Sequence, residues 1–208
     1  MSYHGKFIVI EGPDGAGKTT QAEILVNNLK SNGSDVKYYR EPGSTPAGEL
    51  LRNIVKDPNI PLSAQAQMLA ILASRSELIS EVIKPAISSG MTIVLDRYTP
   101  STIAYRPETD KGFILELDSM LEFPEPDLYI FLDADNKTLF ERSNAKQDND
   151  RYDFQSEMIV TERINLYRDL HWVFNGEVVN TEQEIAETAK EILDMVLQKF
   201  PKFVTMSM

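Results

Sequence analysis

The stretch IEGPDGAGKTTQ, residues 10–21, follows the apolar run KFIVI and leads into AEILVNNLKSNG. Gly12 to Thr19 fit G-x-x-x-x-G-K-[ST] in full, after a strand pattern and before a helical one. Glycines there let the backbone turn tightly, with N–H groups aimed at phosphate oxygens. The helix that follows adds the partial positive charge of its N-terminus. In that arrangement Lys18 reaches the β- and γ-phosphates and Thr19 offers its hydroxyl to Mg²⁺. Gly12, Pro13, Asp14, Gly15, Ala16, Gly17, Lys18, Thr19 and Thr20 are therefore the candidate ATP-binding loop. A Gly-rich turn with a surface lysine does not account for a complete motif in this context. The motif specifies a nucleoside triphosphate and leaves the acceptor open: water, a small molecule or a protein.

Four further short runs read as strands: VKYYRE (36–41), MTIVLD (91–96), DLYIFLD (127–133) and EVVNT (177–181). Two of them are nearly continuous in apolar residues, as strands buried on both faces are. Helical patterns separate them. Ala22, Leu25 and Leu29 form a stripe that stops near Gly33. Residues 63–89 predict a helix capped by Ser63, with a kink or break at Pro85. The spacing of Thr181 and Glu184 predicts a capping box opening the last helix. Strand and helix in alternation predict an α/β domain with a parallel sheet between helical layers. Ligands in such folds sit beyond the carboxyl ends of the strands. That directs attention to EGPDGAGKT, REPGST, DRYTPS and DAD.

The bulk numbers narrow the class. The chain has 208 residues, enough for a single domain over 1–208 with a small mobile insert. A net charge of −11 argues against general nucleic-acid binding, so an anionic ligand needs a local cluster of cations. No cysteine is present, which excludes disulfides and thiolate metal sites and fits a cytoplasmic setting. No apolar run approaches the ~20 residues of a membrane span, and the N-terminus carries no signal-peptide pattern. A GTPase would carry N-K-x-D, but Asn136-Lys137 is followed by Thr138 and Leu139. A small-molecule kinase suits the length and the early P-loop best.

REPGSTPAGELLR (40–52) and DRYTPSTIAYR (96–106) make the reading more specific. Together with EGPDGAGKTTQ, ASRSELI, IKPAI, PDLYIFLD and DRYD, they resemble the thymidylate kinase family, in order, from about residue 6 to 185. The resemblance implies a three-layer P-loop kinase fold: a five-stranded parallel sheet flanked by helices, with a small lid at about 142–153. It implies phosphorylation of dTMP to dTDP with ATP and Mg²⁺, in a homodimer.

It also implies roles for individual residues. Asp96 ends an apolar strand. It could cap a turn, but at that topological position it serves Mg²⁺ or its waters. Arg97 clamps donor and acceptor phosphates. Asp14 contacts the 5′-phosphate end of the acceptor or its magnesium hydration, and serves positioning rather than proton abstraction. Arg40, Glu41 and Pro42 line the acceptor site, with Arg52 a candidate for its phosphate. Arg75 lies on an apolar helix face by its spacing from Ile71, Leu72, Leu78 and Ile79, so it must snorkel out or meet a polar partner. In the family that partner is the pyrimidine. Ser101, Thr102 and Tyr105 approach base and deoxyribose, and Asn180 stands where backbone meets adenine. The P-loop has Gly15 where another class of these kinases carries arginine, so the lid supplies the cation. Arg142, Lys146 and Arg151 are the candidates, with Arg151 the best placed.

Three departures cluster at the acceptor base. Ile71 stands where the family has an aromatic ring, Arg106 replaces an amide, and the segment from Arg106 to the fourth strand is short. They leave room for broad or shifted base preference. The alternatives are a deoxynucleoside kinase, with Glu11 or Asp14 as base, and a nucleotide-binding regulator.

Overall fold

The apolar runs become the middle of a sheet. In a computed structural model of the chain, which describes residues 5–145, 151–152 and 155–203, the strands are β1 (Phe7–Glu11), β2 (Val36–Arg40), β3 (Thr92–Asp96), β4 (Leu128–Asp133) and β5 (Glu177–Asn180). All pairings are parallel, in the order β2-β3-β1-β4-β5. The central strands β1 and β3 are buried along their whole length, whereas the edge strands β2 and β5 alternate or face solvent.

The two-residue period of a strand sorts β1 between two cores. Ile8 and Ile10 pack with Ala22, Leu25 and Leu29 of α1 (Lys18–Ser31) and with Ile192 and Val196 of α9 (Ile185–Lys199). Phe7 and Val9 pack on the opposite face. Their neighbours are Leu72 and Leu78 of α3 (Ala64–Leu78), Ile103 of α5 (Thr99–Ala104), Ile114 of α6 (Lys111–Met120) and Leu170 of α8 (Glu157–Val173). Helix α2 (Pro46–Lys56) lies against α3, and α7 (Asn136–Ala145) follows β4. The result is the three-layer α/β architecture expected.

Local signals act largely as read. Helix α1 gives way at Gly33 (φ 81°), where Ser34 N–H donates to Leu29 O at 3.0 Å and Gly33 N–H to Lys30 O at 2.9 Å. Ser63 caps α3, accepting from Ala66 N–H at 3.1 Å. Two expectations need qualification. Of the kink or break expected at Pro85, the break does not occur: the chain passes through a π-helical turn at Ile79–Ile83, which interrupts the α-helical ladder, into α4 (Lys84–Ser88). The wider turn accommodates the ring and the missing N–H of the proline. The capping box at Thr181 does not form either. Helix α9 begins at Ile185, because Thr181 N–H and hydroxyl both donate to Asp133 O, at 2.8 and 3.2 Å, extending the β5 edge.

The expected lid is divided. Residues 142–145 complete α7, while Lys146 and Asp153 lie outside the described residues. Among the described residues no helix is long and apolar enough to cross a membrane.

Candidate active site

Every polar turn singled out from the sequence lies at the carboxyl end of the sheet. A cavity of about 440 Å³ opens there, lined by the P-loop, the turn after β2, one face of α3 and the turn after β3. Of the candidates, Asp14, Gly15, Gly17, Lys18, Thr19, Thr20, Arg40, Glu41, Pro42, Arg52, Ile71, Arg75, Asp96, Arg97, Ser101, Thr102, Tyr105 and Arg142 line it.

The P-loop is built for close backbone approach. Gly17 (φ 84°) stands at the start of α1 with no side-chain cap, so the first N–H groups of that helix face the loop. Lys18 is buried and folds over the loop, donating to Pro13 O at 2.6 Å. Gly15 (φ 83°) has no room for a side chain: a Cβ would stand 2.5 Å from Leu139 O and 3.1 Å from Ser143 N. Helix α7 thus occupies the space where the other class carries arginine.

Beside the loop, Thr19 hydroxyl donates to Asp96 Oδ2 at 2.6 Å, and Tyr38 hydroxyl reaches the same oxygen at 3.3 Å. Asp96 Oδ1 is buried without a hydrogen-bond partner. An orphaned carboxylate oxygen next to a P-loop hydroxyl is a donor pair that suits Mg²⁺, which takes few protein ligands and fills its octahedron with phosphate oxygens and water. Among the described residues no cluster of three or more His, Cys, Asp or Glu competes for a metal.

Asp14 is the hub between donor loop and acceptor cavity. Arg97 pairs with its Oδ1, Tyr105 hydroxyl donates to its Oδ2, and Arg163 Nη1 lies 3.8 Å from Oδ2. Burial alone would raise its pKa, but the fields of Arg97 and Lys18 and the Tyr105 hydrogen bond hold the carboxyl well below its usual range. Lys18 is pushed down to about 8 by burial and by Arg97, against the pull of Asp14 and Asp96. Arg97 has φ 75° and is tied at four points: Asp14, Tyr105, Ser101 Oγ at 3.2 Å and Tyr167 hydroxyl at 3.0 Å. Glu11 is fully buried and accepts from Tyr98 N–H at 2.6 Å and Ser101 hydroxyl at 2.7 Å, fixing α5 on β1.

On the acceptor side, the turn after β2 is held by its own hydrogen bonds. The Glu41–Pro42 peptide is cis, Thr45 caps α2, Arg52 donates to Pro42 O at 2.9 Å, and Arg40 pairs loosely with Glu49 at 3.4 Å. Gly48 is required, since a Cβ would meet Gly43 O and Thr45 Oγ1, both at 2.8 Å. Arg75 is 1% exposed and donates to Glu41 at 2.7 Å, Thr99 at 3.2 Å and Thr102 at 2.8 Å. Burial lifts the Glu41 carboxyl to about 7 even though Arg75 opposes the shift.

A model of the thymidylate kinase family matches residues 10–192. The chain is 36% identical to a thymidylate kinase of Haemophilus ducreyi over 206 residues, 96% of each chain. It is 33% identical to a probable thymidylate kinase of Pyrococcus abyssi over 198 residues, 92% of this chain and 96% of the other. The crystal structure of thymidylate kinase from Ehrlichia chaffeensis superposes with a TM-score of 0.73 at 25% identity, covering 93% of this chain and 99% of that one.

The chain belongs to the thymidylate kinase family. Besides Gly12, Pro13 and Ala16 of the P-loop and Asn180 of β5, two candidates from outside the loop, Arg106 and Arg151, lie off the cavity wall. Arg106 is buried behind Tyr105, donating to Gln67 Oε1 at 3.0 Å and Tyr152 hydroxyl at 3.1 Å, with Nε unpartnered. Arg151 donates to Val55 O at 2.9 Å and Asp57 O at 2.7 Å, carbonyls at the end of α2 that the helix itself leaves unpaired. Arg142 donates to Thr181 O at 3.0 Å, next to Asn180 at the end of β5. The sequence reading passed over Arg163, whose guanidinium carbon lies 3.9 Å over the Tyr105 ring, and Tyr167. Both sit four residues apart on one face of α8, where an i,i+4 pair of polar side chains facing a core was the available signal.

Proposed function

We propose that the protein transfers the γ-phosphoryl group of ATP to the 5′-phosphate of dTMP, giving ADP and dTDP. The observation that supports this most directly is the Asp14–Arg97–Tyr105 knot, which joins the donor loop to the acceptor cavity. The acceptor is a dianion meeting a tetra-anion, so the demand is for delocalised cations and alignment, not for a base. Asp14 answers that demand: deep ion pairing keeps it deprotonated but makes it a poor proton acceptor.

In this reading the P-loop amides and Lys18 hold the β- and γ-phosphates, and Arg97 spans the gap to the acceptor phosphate, with Arg40 and Arg52 on its far side. Arg75 addresses the base and Ile71 gives it apolar contact. Tyr105 lies against the deoxyribose. Thr19 and Asp96 would hold Mg²⁺, which when bound neutralises charge across the β- and γ-oxygens. Arg142 serves the triphosphate, and adenine lies by Asn180. Arg151 ties its own stretch of chain to α2 instead of meeting the transferring phosphate. The outward Leu50, Ile54 and Leu69 of α2 and α3 support a homodimer through these helices. The lack of cysteine suits the cytoplasm.

The test is to supply ATP and Mg²⁺ with dTMP or with thymidine. Turnover of dTMP and none of thymidine is expected. Phosphorylation of thymidine in preference to dTMP would move the protein to the nucleoside kinases.

A further inference from the structure

Arginine carries five N–H donors in a rigid fork. In Arg75 four are engaged: Nε with Glu41, Nη1 with Thr99 and Asp118, and one on Nη2 with Thr102. The plane is sandwiched as well, 4.6 Å from the Tyr98 ring and 5.9 Å from the Phe123 ring. One Nη2 proton is left for whatever base enters the cavity that Arg75 lines.

Asp118 does not line that cavity. It sits on α6, in the short segment between Arg106 and β4, and reaches Arg75 Nη1 at 3.5 Å. Its other oxygen accepts the only proton of the Thr99 hydroxyl. That bond turns the lone pairs of Thr99 towards Arg75, so the hydroxyl can only accept from the guanidinium. Without Asp118, Nη1 loses its charged partner, and the Thr99 hydroxyl is no longer held in the orientation in which it accepts from Nη1.

We propose that Asp118 is a positioning residue for base selection, acting through Thr99 and Arg75 from outside the cavity. By occupying both Nη1 donors, one directly and one through Thr99, while Glu41 and Thr102 take two others, it leaves Arg75 to present a single N–H, which suits a carbonyl edge of a pyrimidine and penalises an exocyclic amino group. The proposal rests on the dTMP reading of this site.

The experiment measures dissociation constants by calorimetry, together with kcat and KM, for dTMP and dCMP in the wild type and in Asp118→Asn, Thr99→Val and Thr99→Ser. Asp118→Asn and Thr99→Val are expected to weaken dTMP on the order of tenfold, the worth of one charge-assisted hydrogen bond. The dTMP/dCMP preference should shrink by a similar factor, and KM for ATP should stay within about twofold. Thr99→Ser keeps the hydroxyl and should keep the wild-type preference. A merely structural role would change stability and kcat but not the preference between bases. If Asp118→Asn folds poorly, Thr99→Val against Thr99→Ser decides. Unchanged preference in both Asp118→Asn and Thr99→Val overturns the proposal, whereas a wild type that binds no dTMP overturns the functional reading beneath it.

Discussion

Arg97 holds a left-handed backbone that costs a non-glycine residue on the order of 1 kcal/mol. The conformation persists because four partners over-determine the side chain, and it aims the guanidinium across the mouth of the P-loop. Removing it should be a loss of transition-state stabilisation: Arg97→Ala is predicted to lower kcat by about 10²- to 10³-fold with a much smaller change in KM for ATP. Steady-state kinetics checks this. Lys18 offers a different signature. Its proton is lost above about pH 8 in the free protein, so kcat/KM for ATP should fall as pH rises through 8. Glu41 bears on stability. Its folded pKa, about 7, lies above the ordinary 4.5, so the folded state holds a proton the unfolded chain has released. Stability from this group is full below 4.5 and declines as pH rises through 7. Glu41→Gln should flatten the dependence of the urea midpoint on pH between 5 and 8, and an unaltered slope would show that Glu41 is not the group responsible. The Glu41–Arg75 pair was half legible: an arginine on the apolar face of α3 announces a buried polar partner, but helix spacing cannot say which of many acidic residues provides it.

At the scale of elements, α7 and the P-loop fit face to face. Gly15→Ala is predicted to destabilise the fold by about 1–3 kcal/mol and to depress turnover, since it combines a positive φ with a Cβ meeting backbone of α7. A thermal melt and a rate measurement suffice. The expectation that the lid supplies the charge absent at position 15 was readable from the loop. That α7 fills the space was not, because it depends on packing between residues more than 120 positions apart. Strand and helix identities came through because buried runs and 3.6-residue stripes are local. The start of α9 did not: Thr181 had the right spacing for a cap, yet β4 claimed its hydroxyl through Asp133. Arg151 shows the same limit. Its place in DRYD suggested a catalytic cation, but three carbonyls near the end of α2 offer a partner set no motif encodes. Arg151→Ala is accordingly predicted to reduce kcat less than about tenfold, well short of Arg97→Ala.

For the whole molecule, a chain with net charge −11 gathers Lys18, Arg40, Arg52, Arg97, Arg142 and Arg163 around one cavity or its wall. That local reversal of sign is what two phosphorylated substrates require, and the strand order places it at the carboxyl edge of the sheet. Phosphate chemistry was legible from the motifs, since Asp14, Lys18, Thr19, Asp96 and Arg97 lie in two contiguous turns, whereas Arg52, Arg142 and Arg163 come from separate helices. Base recognition was less so, because it is assembled from α3, α5 and α6 through side chains that no single stretch contains. The account therefore stands or falls on the acceptor. The most direct measurement is of initial rates with dTMP, dUMP, dCMP, dGMP and UMP under ATP and Mg²⁺. The account predicts the highest kcat/KM for dTMP, with dCMP and UMP far below it. A better rate with dCMP, dGMP or UMP than with dTMP would contradict it.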